Sequence, residues 1–388
     1  MSYCYLLIAG RRLAAAEFGV FNALLGVITI GGFLASSLQV AATQIVRQRL
    51  DRDTLRYLLR IGLRMALLGM LGFGIAGLLI GRHVQIEPLQ IGLCALTLAL
   101  MVFGSASTGA LVGSGNVQSQ ASLACWGALA RIGLGWPLML LGLGVSAAIA
   151  GYAANYALIF VLAYLGCRRA ASGDDERPVG HAPLRLDLRS MAVFVLGFAP
   201  FTLDQLLIQY LNPAVGGDYA AAATIAKLVF FASYPITALA YPRFLAKPPG
   251  PQRTRALAMA ALAVLGTGGL LTLLIEAFAE PLIALFFGER FGGIAPQLRL
   301  LAPAALCFSL TALGLHAQIA WRAGAGLAAP LVALLLGLLL YLLRSSSLDL
   351  IVGNQMATLL LQLLLVWTLL WLSVLRPQRA AGRDAATP

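Results

Sequence analysis

The chain has 388 residues, 60% of them hydrophobic and only 11% charged, with a mean hydropathy of +0.87. Soluble domains carry about 25% charged residues, so this composition excludes a water-soluble globule. The net charge of +12 would suit a nucleic acid. However, the basic residues sit in short loops between apolar runs, with no basic stripe and no interleaved aromatics, so no nucleic-acid partner is expected.

In chain order, residues 1–9 (MSYCYLLIA) are apolar but too short to span a bilayer. They lack the basic start and cleavage site of a signal peptide and read as the tail of a helix whose first half lies outside this chain. Continuous apolar runs follow, each near the roughly 20 residues that cross a ~30 Å hydrocarbon core as a helix. Spans are predicted at 18–42, 58–81, 89–113, 120–143, 146–167, 191–211, 217–243, 255–278, 295–321, 325–344 and 348–375. The runs lack the period-2 alternation of barrel strands, so helices are the way their backbone groups are satisfied in lipid.

Alternate loops differ sharply in basic residues. One set holds nineteen, in clusters at 47–64, 168–189, 243–255, 322 and 376–383, against six (Arg11, Arg12, Arg82, Arg290, Arg299, Arg344) in the other. Cytoplasmic loops retain Lys and Arg, which predicts that the first set and the C-terminus face the cytoplasm.

A shift of 198 positions brings Gly19 onto Gly217, Phe21 onto Tyr219, Ala23 onto Ala221, Val27 onto Ile225, Phe33 onto Phe231 and Ala35 onto Ser233. This internal repeat predicts two similar halves of like orientation. The expected fold is an all-α polytopic membrane protein of two pseudo-symmetric six-helix bundles, the first helix truncated. The expected divisions are a bundle at 1–167, a cytoplasmic linker at 168–190, a second bundle at 191–375 and a cytoplasmic tail at 376–388.

Charge inside a span costs at least ~2.5 kcal/mol on insertion scales, which makes each case a functional candidate. Arg131 lies near the middle of span 120–143, too deep for its guanidinium to reach either interface, so it requires an interior partner or a watery cavity. Asp204 and Lys227 fall at similar depths on consecutive spans. They read either as a structural ion pair or as a cavity-facing pair that binds an anion or a coupling cation. Arg299 and Arg11 lie near outer ends and suit an interfacial anchor or a cavity role. His316, Asn155 and Gln318 are explained by hydrogen bonds between helices.

Pro137, Pro200, Pro235, Pro242, Pro303 and Pro330 are expected to kink their helices. Gly77/Gly81 and Gly109/Gly113 have the spacing that lets helices pack closely. The five cysteines (Cys4, Cys94, Cys125, Cys167, Cys307) lack metal-site spacing and read as small buried hydrophobes. No GxxxxGK[ST] or HExxH motif occurs, and His83, His181 and His316 lie far apart. No segment outside the spans is large enough for a catalytic domain, so neither an enzyme nor a cofactor or metal is expected.

Three stretches carry a family resemblance: LLIAGRRLAAAEFGVFNALLGVITIGGF (6–33), DQLLIQYLNPAVGGDYAAAATIAKLVFFASYPITALAYPRF (204–244) and LIALFFGERFGGIAPQLRLLAPA (282–304). They resemble the polysaccharide-transporter branch of the multidrug/oligosaccharidyl-lipid/polysaccharide exporter superfamily. The sequence departs from that pattern in its short start and at AAAE (14–17), where a proline is usual.

The resemblance implies twelve helices in two bundles around a central V-shaped cavity. It also implies a flippase in a bacterial inner membrane for a lipid-linked saccharide such as a polyprenyl-pyrophosphate oligosaccharide. A cationic cavity would hold the pyrophosphate, which arginine grips bidentately, with Arg131 and Lys227 the chosen positions. Asp204 would tune Lys227 or serve ion coupling, to proton or sodium. The weighed alternatives are a drug/cation antiporter of the same superfamily, a membrane-embedded enzyme of glycan assembly, and a non-transporting scaffold.

Overall fold

The computed structural model describes residues 2–46, 52–81, 84–114, 117–171, 188–246, 251–321, 327–344 and 346–372. Most of the expected linker and the whole expected tail lie outside these. So do Arg47, Arg49, Arg82, His83, Arg177, His181, Arg185, Lys247, Arg322, Arg376, Arg379 and Arg383. The described residues are almost entirely helical, with no strand among them.

The chain divides into two compact units, Met1–Met191 and Ala192–Pro388. The first contains α1 (Ser2–Arg12), α2 (Ala15–Val46), α3 (Arg52–Ile80), α4 (Pro88–Gly113), α5 (Val117–Leu140) and α6 (Gly144–Ala170). The second contains most of α7 (Leu188–Thr202), then α8 (Asp204–Leu211), α9 (Gly216–Ala246), α10 (Pro251–Ala277) and α11 (Ala279–Phe287). It continues with α12 (Ala295–Ala320), α13 (Ala328–Leu343) and α14 (Leu348–Leu370). Nine of the described helices are long and apolar enough to cross a membrane, and the bent pair α7–α8 makes a tenth. The 16-residue α13 is apolar but shorter. This is a multi-pass helical membrane protein.

Each unit follows the same internal scheme. In the first, α2 and α3 pack on α4, α4 on α6, and α5 on α6. In the second, α9 and α10 pack on α12, α12 on α14, and α13 on α14. Several repeat-related positions share their burial: Phe21 and Tyr219 are fully buried, as are Ala23 and Ala221, and Ala35 and Ser233 are both buried, while Phe33 is half-buried and Phe231 exposed.

Small residues set the closest approaches. A Cβ on Gly109 would meet the Ala42 side chain at 2.8 Å, and one on Gly113 the Thr43 carbonyl oxygen at 2.8 Å. There α2 and α4 touch backbone to backbone, and the Thr43 hydroxyl donates to the Gly109 carbonyl at 3.0 Å. Gly77 and Gly81 instead admit the Ile91 side chain between α3 and α4. Outward faces are leucine-rich: Leu68, Leu71, Ile75 and Leu79 of α3 are all exposed, a surface that acyl chains solvate as well as they solvate each other.

One expectation, the kink at Pro200, is met by a full break, and two need correction. The span at 191–211 is broken, with α7 and α8 meeting at a 49° bend. Pro200 supplies no N–H to the helix, and the Thr202 hydroxyl occupies the Phe198 carbonyl at 2.8 Å, both of which bend helices. Pro330 stands in the first turn of α13, where its missing N–H interrupts nothing. Of the cysteines, Cys94 and Cys167 are buried, but Cys4 and Cys125 are exposed, because a membrane helix tolerates a thiol on an outward face as readily as inside.

Candidate functional site

In the first unit the site is built around Arg131 on α5. Its side chain is only 7% exposed. Nη2 donates to Asn155 Oδ1 on α6 at 3.0 Å, and the guanidinium carbon lies 4.1 Å from the centre of the Tyr152 ring, one turn earlier on α6. Nε is buried without an acceptor, and no carboxylate pairs with Arg131 among the described residues. A neutral amide and a ring face therefore hold the guanidinium, with no carboxylate among the described residues to offset it. Burying an unpaired charge is expensive, so the arrangement persists only because the surrounding packing enforces it.

That packing starts at α1. The Tyr5 ring meets Tyr152 edge-on at 5.7 Å, and its hydroxyl donates to the Ala148 carbonyl at 2.9 Å. Gly135 of α5 and Gly151 of α6 leave the room Tyr5 fills; a Cβ on Gly135 would come 2.8 Å from its ring. A Cβ on Gly127, one turn from Arg131, would meet Asn155 Oδ1 at 2.7 Å. Tyr5, Tyr152, Gly127 and Gly135 were not legible as site residues, because tyrosines and glycines are ordinary in apolar helices.

The same unit contains a cavity of about 250 Å³ between α2, α4, α5 and α6. Its polar lining is uncharged: Ser36, Gln39, Ser105, Thr108, Gln120 and Tyr156. Tyr156 follows Tyr152 by one helical turn, so cavity and guanidinium share a face of α6.

In the second unit the structure brings Asp204 and Lys227 together. Lys227 Nζ lies 3.0 Å from Asp204 Oδ1, and the Tyr219 hydroxyl donates to Oδ2 at 2.7 Å. Asp204 opens α8 directly after the bend, where a helix N-terminus favours a carboxylate. Lys227 also lies 5.0 Å from the Phe201 ring centre. The void beside the pair measures about 10 Å³, at most one water. The Tyr341 hydroxyl donates to Gln355 Oε1 at 2.7 Å, and Gln355 Nε2 donates to the Pro200 carbonyl at 2.9 Å. The broken helix is thus tied to α14, where Gln362 repeats the contact on the Gly197 carbonyl at 2.7 Å.

The remaining candidates have other surroundings. Arg299 Nη2 donates to both oxygens of Glu280 at 2.9 and 3.0 Å, and Nε donates to the Glu276 carbonyl at 3.3 Å, in a half-exposed ion pair. Arg11 is exposed in the last turn of α1. Gln318 bonds between helices as expected, to the Val366 carbonyl at 2.9 Å. His316 departs from expectation: its Nδ1 meets the Ala312 carbonyl of its own helix at 2.7 Å, and its ring packs among Phe194, Tyr234 and Tyr241. Among the described residues no group of histidines, cysteines and carboxylates could hold a metal ion.

The described helices, a multi-pass set in two compact units, have the fold of solved MATE-family and MurJ transporter structures. The chain is similar to an inward-facing multidrug-resistance transporter of the MATE family, at 14% identity and a TM-score of 0.66, covering 100% of this chain and 96% of that one. It is similar to the lipid II flippase MurJ in an inward closed conformation, at 10% identity and a TM-score of 0.72, covering 95% and 85%. It also resembles a transporter of the multidrug/oligosaccharidyl-lipid/polysaccharide (MOP) superfamily from Pyrococcus furiosus described by a binding pocket of reversed polarity, at 15% identity and a TM-score of 0.54, covering 95% and 90%. At these identities the likeness establishes the fold. No family model matches the sequence, and a search of curated proteins finds no match.

Proposed function

We propose that this protein is a transporter that flips a lipid-linked, polyprenyl-pyrophosphate oligosaccharide across a bacterial inner membrane by alternating access, with its C-terminus in the cytoplasm. The observation that carries this reading is Arg131, a buried guanidinium with an unused Nε and no carboxylate partner. Such a group attracts an anion and repels a cationic drug. The uncharged hydroxyl and amide lining of the nearby cavity suits the hydroxyl groups of a saccharide. Lys227 is neutralised by Asp204, so the pair serves the bend of α7–α8 or the coupling to proton or sodium, and Arg131 is the main contact for the pyrophosphate. Arg299 and Arg11 take the peripheral roles of anchor or approach.

The test is to delete the gene, complement it with wild type or Arg131→Ala, and measure surface polysaccharide and the lipid-linked precursor left on the inner leaflet. Loss of polysaccharide with accumulated precursor in both the deletion and the Arg131→Ala strain is the expected result. Normal polysaccharide in the deletion strain would overturn the reading.

A second reading, a drug/cation antiporter, is favoured by one observation, the buried carboxylate of Asp204. Against it, both oxygens of Asp204 are already engaged. Unchanged polysaccharide with altered dye efflux on deletion would select this reading.

A further inference from the structure

A groove of about 640 Å³ runs between α9 and α10 in the second unit, and none of its lining residues belongs to the Asp204–Lys227 centre. Its walls follow helical periodicity: Leu239 and Arg243 line it from α9, and Gln252, Arg255 and Met259 from α10. Leu239 and Met259 are 71% and 60% exposed, so the groove opens outward. Its floor is closed by Phe244 and Ala260, part of the buried cluster that packs α9, α10 and α12 together.

The polar groups are confined to one end. Arg243 is in the last turn of α9, and Gln252 and Arg255 are in the first two turns of α10. Both arginines are exposed, and neither has a hydrogen-bond or ion-pair partner among the described residues. Their neighbour Arg253 is used differently, lying 5.5 Å from the Trp321 ring centre. From Gln252 to Ala263 the α10 wall is about 16 Å long at 1.5 Å per residue. That matches one leaflet, half of a ~30 Å hydrocarbon core.

We propose that this groove holds one anionic phospholipid of the bilayer. Its headgroup phosphate sits between Arg243 and Arg255, and an acyl chain lies along the Leu239–Met259 walls. Charge complementarity selects the headgroup, and the one-leaflet length of the apolar walls selects the tail. The charge count of the loops assigns the basic end to the cytoplasmic face, where basic pockets between helices meet anionic lipid. A bilayer phospholipid also greatly outnumbers any lipid-linked intermediate, so mass action favours it as the occupant. The bound lipid would clamp the ends of α9 and α10, a role independent of the flipping substrate.

The experiment is native mass spectrometry of the full-length protein in detergent, titrated with phosphatidylglycerol or phosphatidylcholine. One equivalent of phosphatidylglycerol should be retained in preference to phosphatidylcholine. Each arginine near a headgroup contributes about fivefold, so Arg243→Gln/Arg255→Gln should weaken retention roughly thirtyfold. Met259→Trp, which fills the groove without changing its charge, should weaken retention of both lipids. Equal retention of the two lipids by wild type, or unchanged retention in the variants, would overturn the proposal. Displacement of phosphatidylglycerol by equimolar polyprenyl diphosphate would overturn it too, since the groove would then belong to the substrate. Melting of each variant in phosphatidylcholine micelles alongside wild type guards against misfolding, and the wild-type competition stands even if a variant fails to fold.

Discussion

Arg131 and the Asp204–Lys227 pair are both charges inside spans, yet their energetics run in opposite directions. Lys227 and Asp204 neutralise each other at 3.0 Å, and removing one partner strands the other. Asp204→Asn should cost about 3–5 kcal/mol, read as a lower melting temperature in detergent, and Asp204→Asn/Lys227→Met should recover most of it. Arg131 has only neutral partners. Arg131→Ala should therefore leave melting close to wild type or above it, while binding of a pyrophosphate ligand falls about ten- to a hundredfold, the worth of lost charge-assisted hydrogen bonds. Asn155→Asp separates structure from function further. A carboxylate in place of the amide pairs with the guanidinium, so melting should hold or rise while ligand binding drops. A variant that binds pyrophosphate as well as wild type would remove Arg131 from the site.

At the level of helices, contacts are decided by what small and polar residues permit. Gly113 lets α4 approach the Thr43 carbonyl of α2 within a methyl's width. Gly113→Val should force the two helices apart and cost about 1–3 kcal/mol, the usual penalty for overpacking, measured by thermal melting. Beside the bend between α7 and α8, Gln355 and Gln362, seven residues apart on one face of α14, donate to the Pro200 and Gly197 carbonyls. Gln355→Ala/Gln362→Ala should cost about 0.6 kcal/mol per bond and raise protease or alkylation susceptibility around Leu203 before anywhere else. The positions of the spans were readable in the sequence, since long apolar runs have one solution in lipid. The break at 203 was not: Pro200 announces a kink, but the Thr202 bond to the Phe198 carbonyl depends on a rotamer the sequence does not fix, and the glutamines that hold the result come from a segment about 150 residues away.

For the whole molecule, the loop charges predict a cytoplasmic C-terminus, so a fluorescent protein fused there should glow and a phosphatase fused there should stay inactive; the reverse pattern would invert the topology. Composition, apolar run length and the 198-residue repeat determined by themselves that this is a multi-pass helical protein with two related halves, because solvation by lipid acts on every residue locally. The charges worth attention were also visible, since an ionised group in a span needs no structure to stand out. Tertiary structure alone decided which of those charges is compensated. Compensation depends on distances of about 3 Å between side chains of neighbouring helices, Asp204 of α8 with Lys227 of α9 and Arg131 of α5 with Asn155 of α6, and on glycines such as Gly127 and Gly135 whose missing side chains leave room beside Arg131. So the sequence marks Lys227 as a possible partner of Asp204 and Arg131 as a cation in need of one; in the fold Lys227 is half of that ion pair and Arg131 is a cation held by an amide and a tyrosine ring.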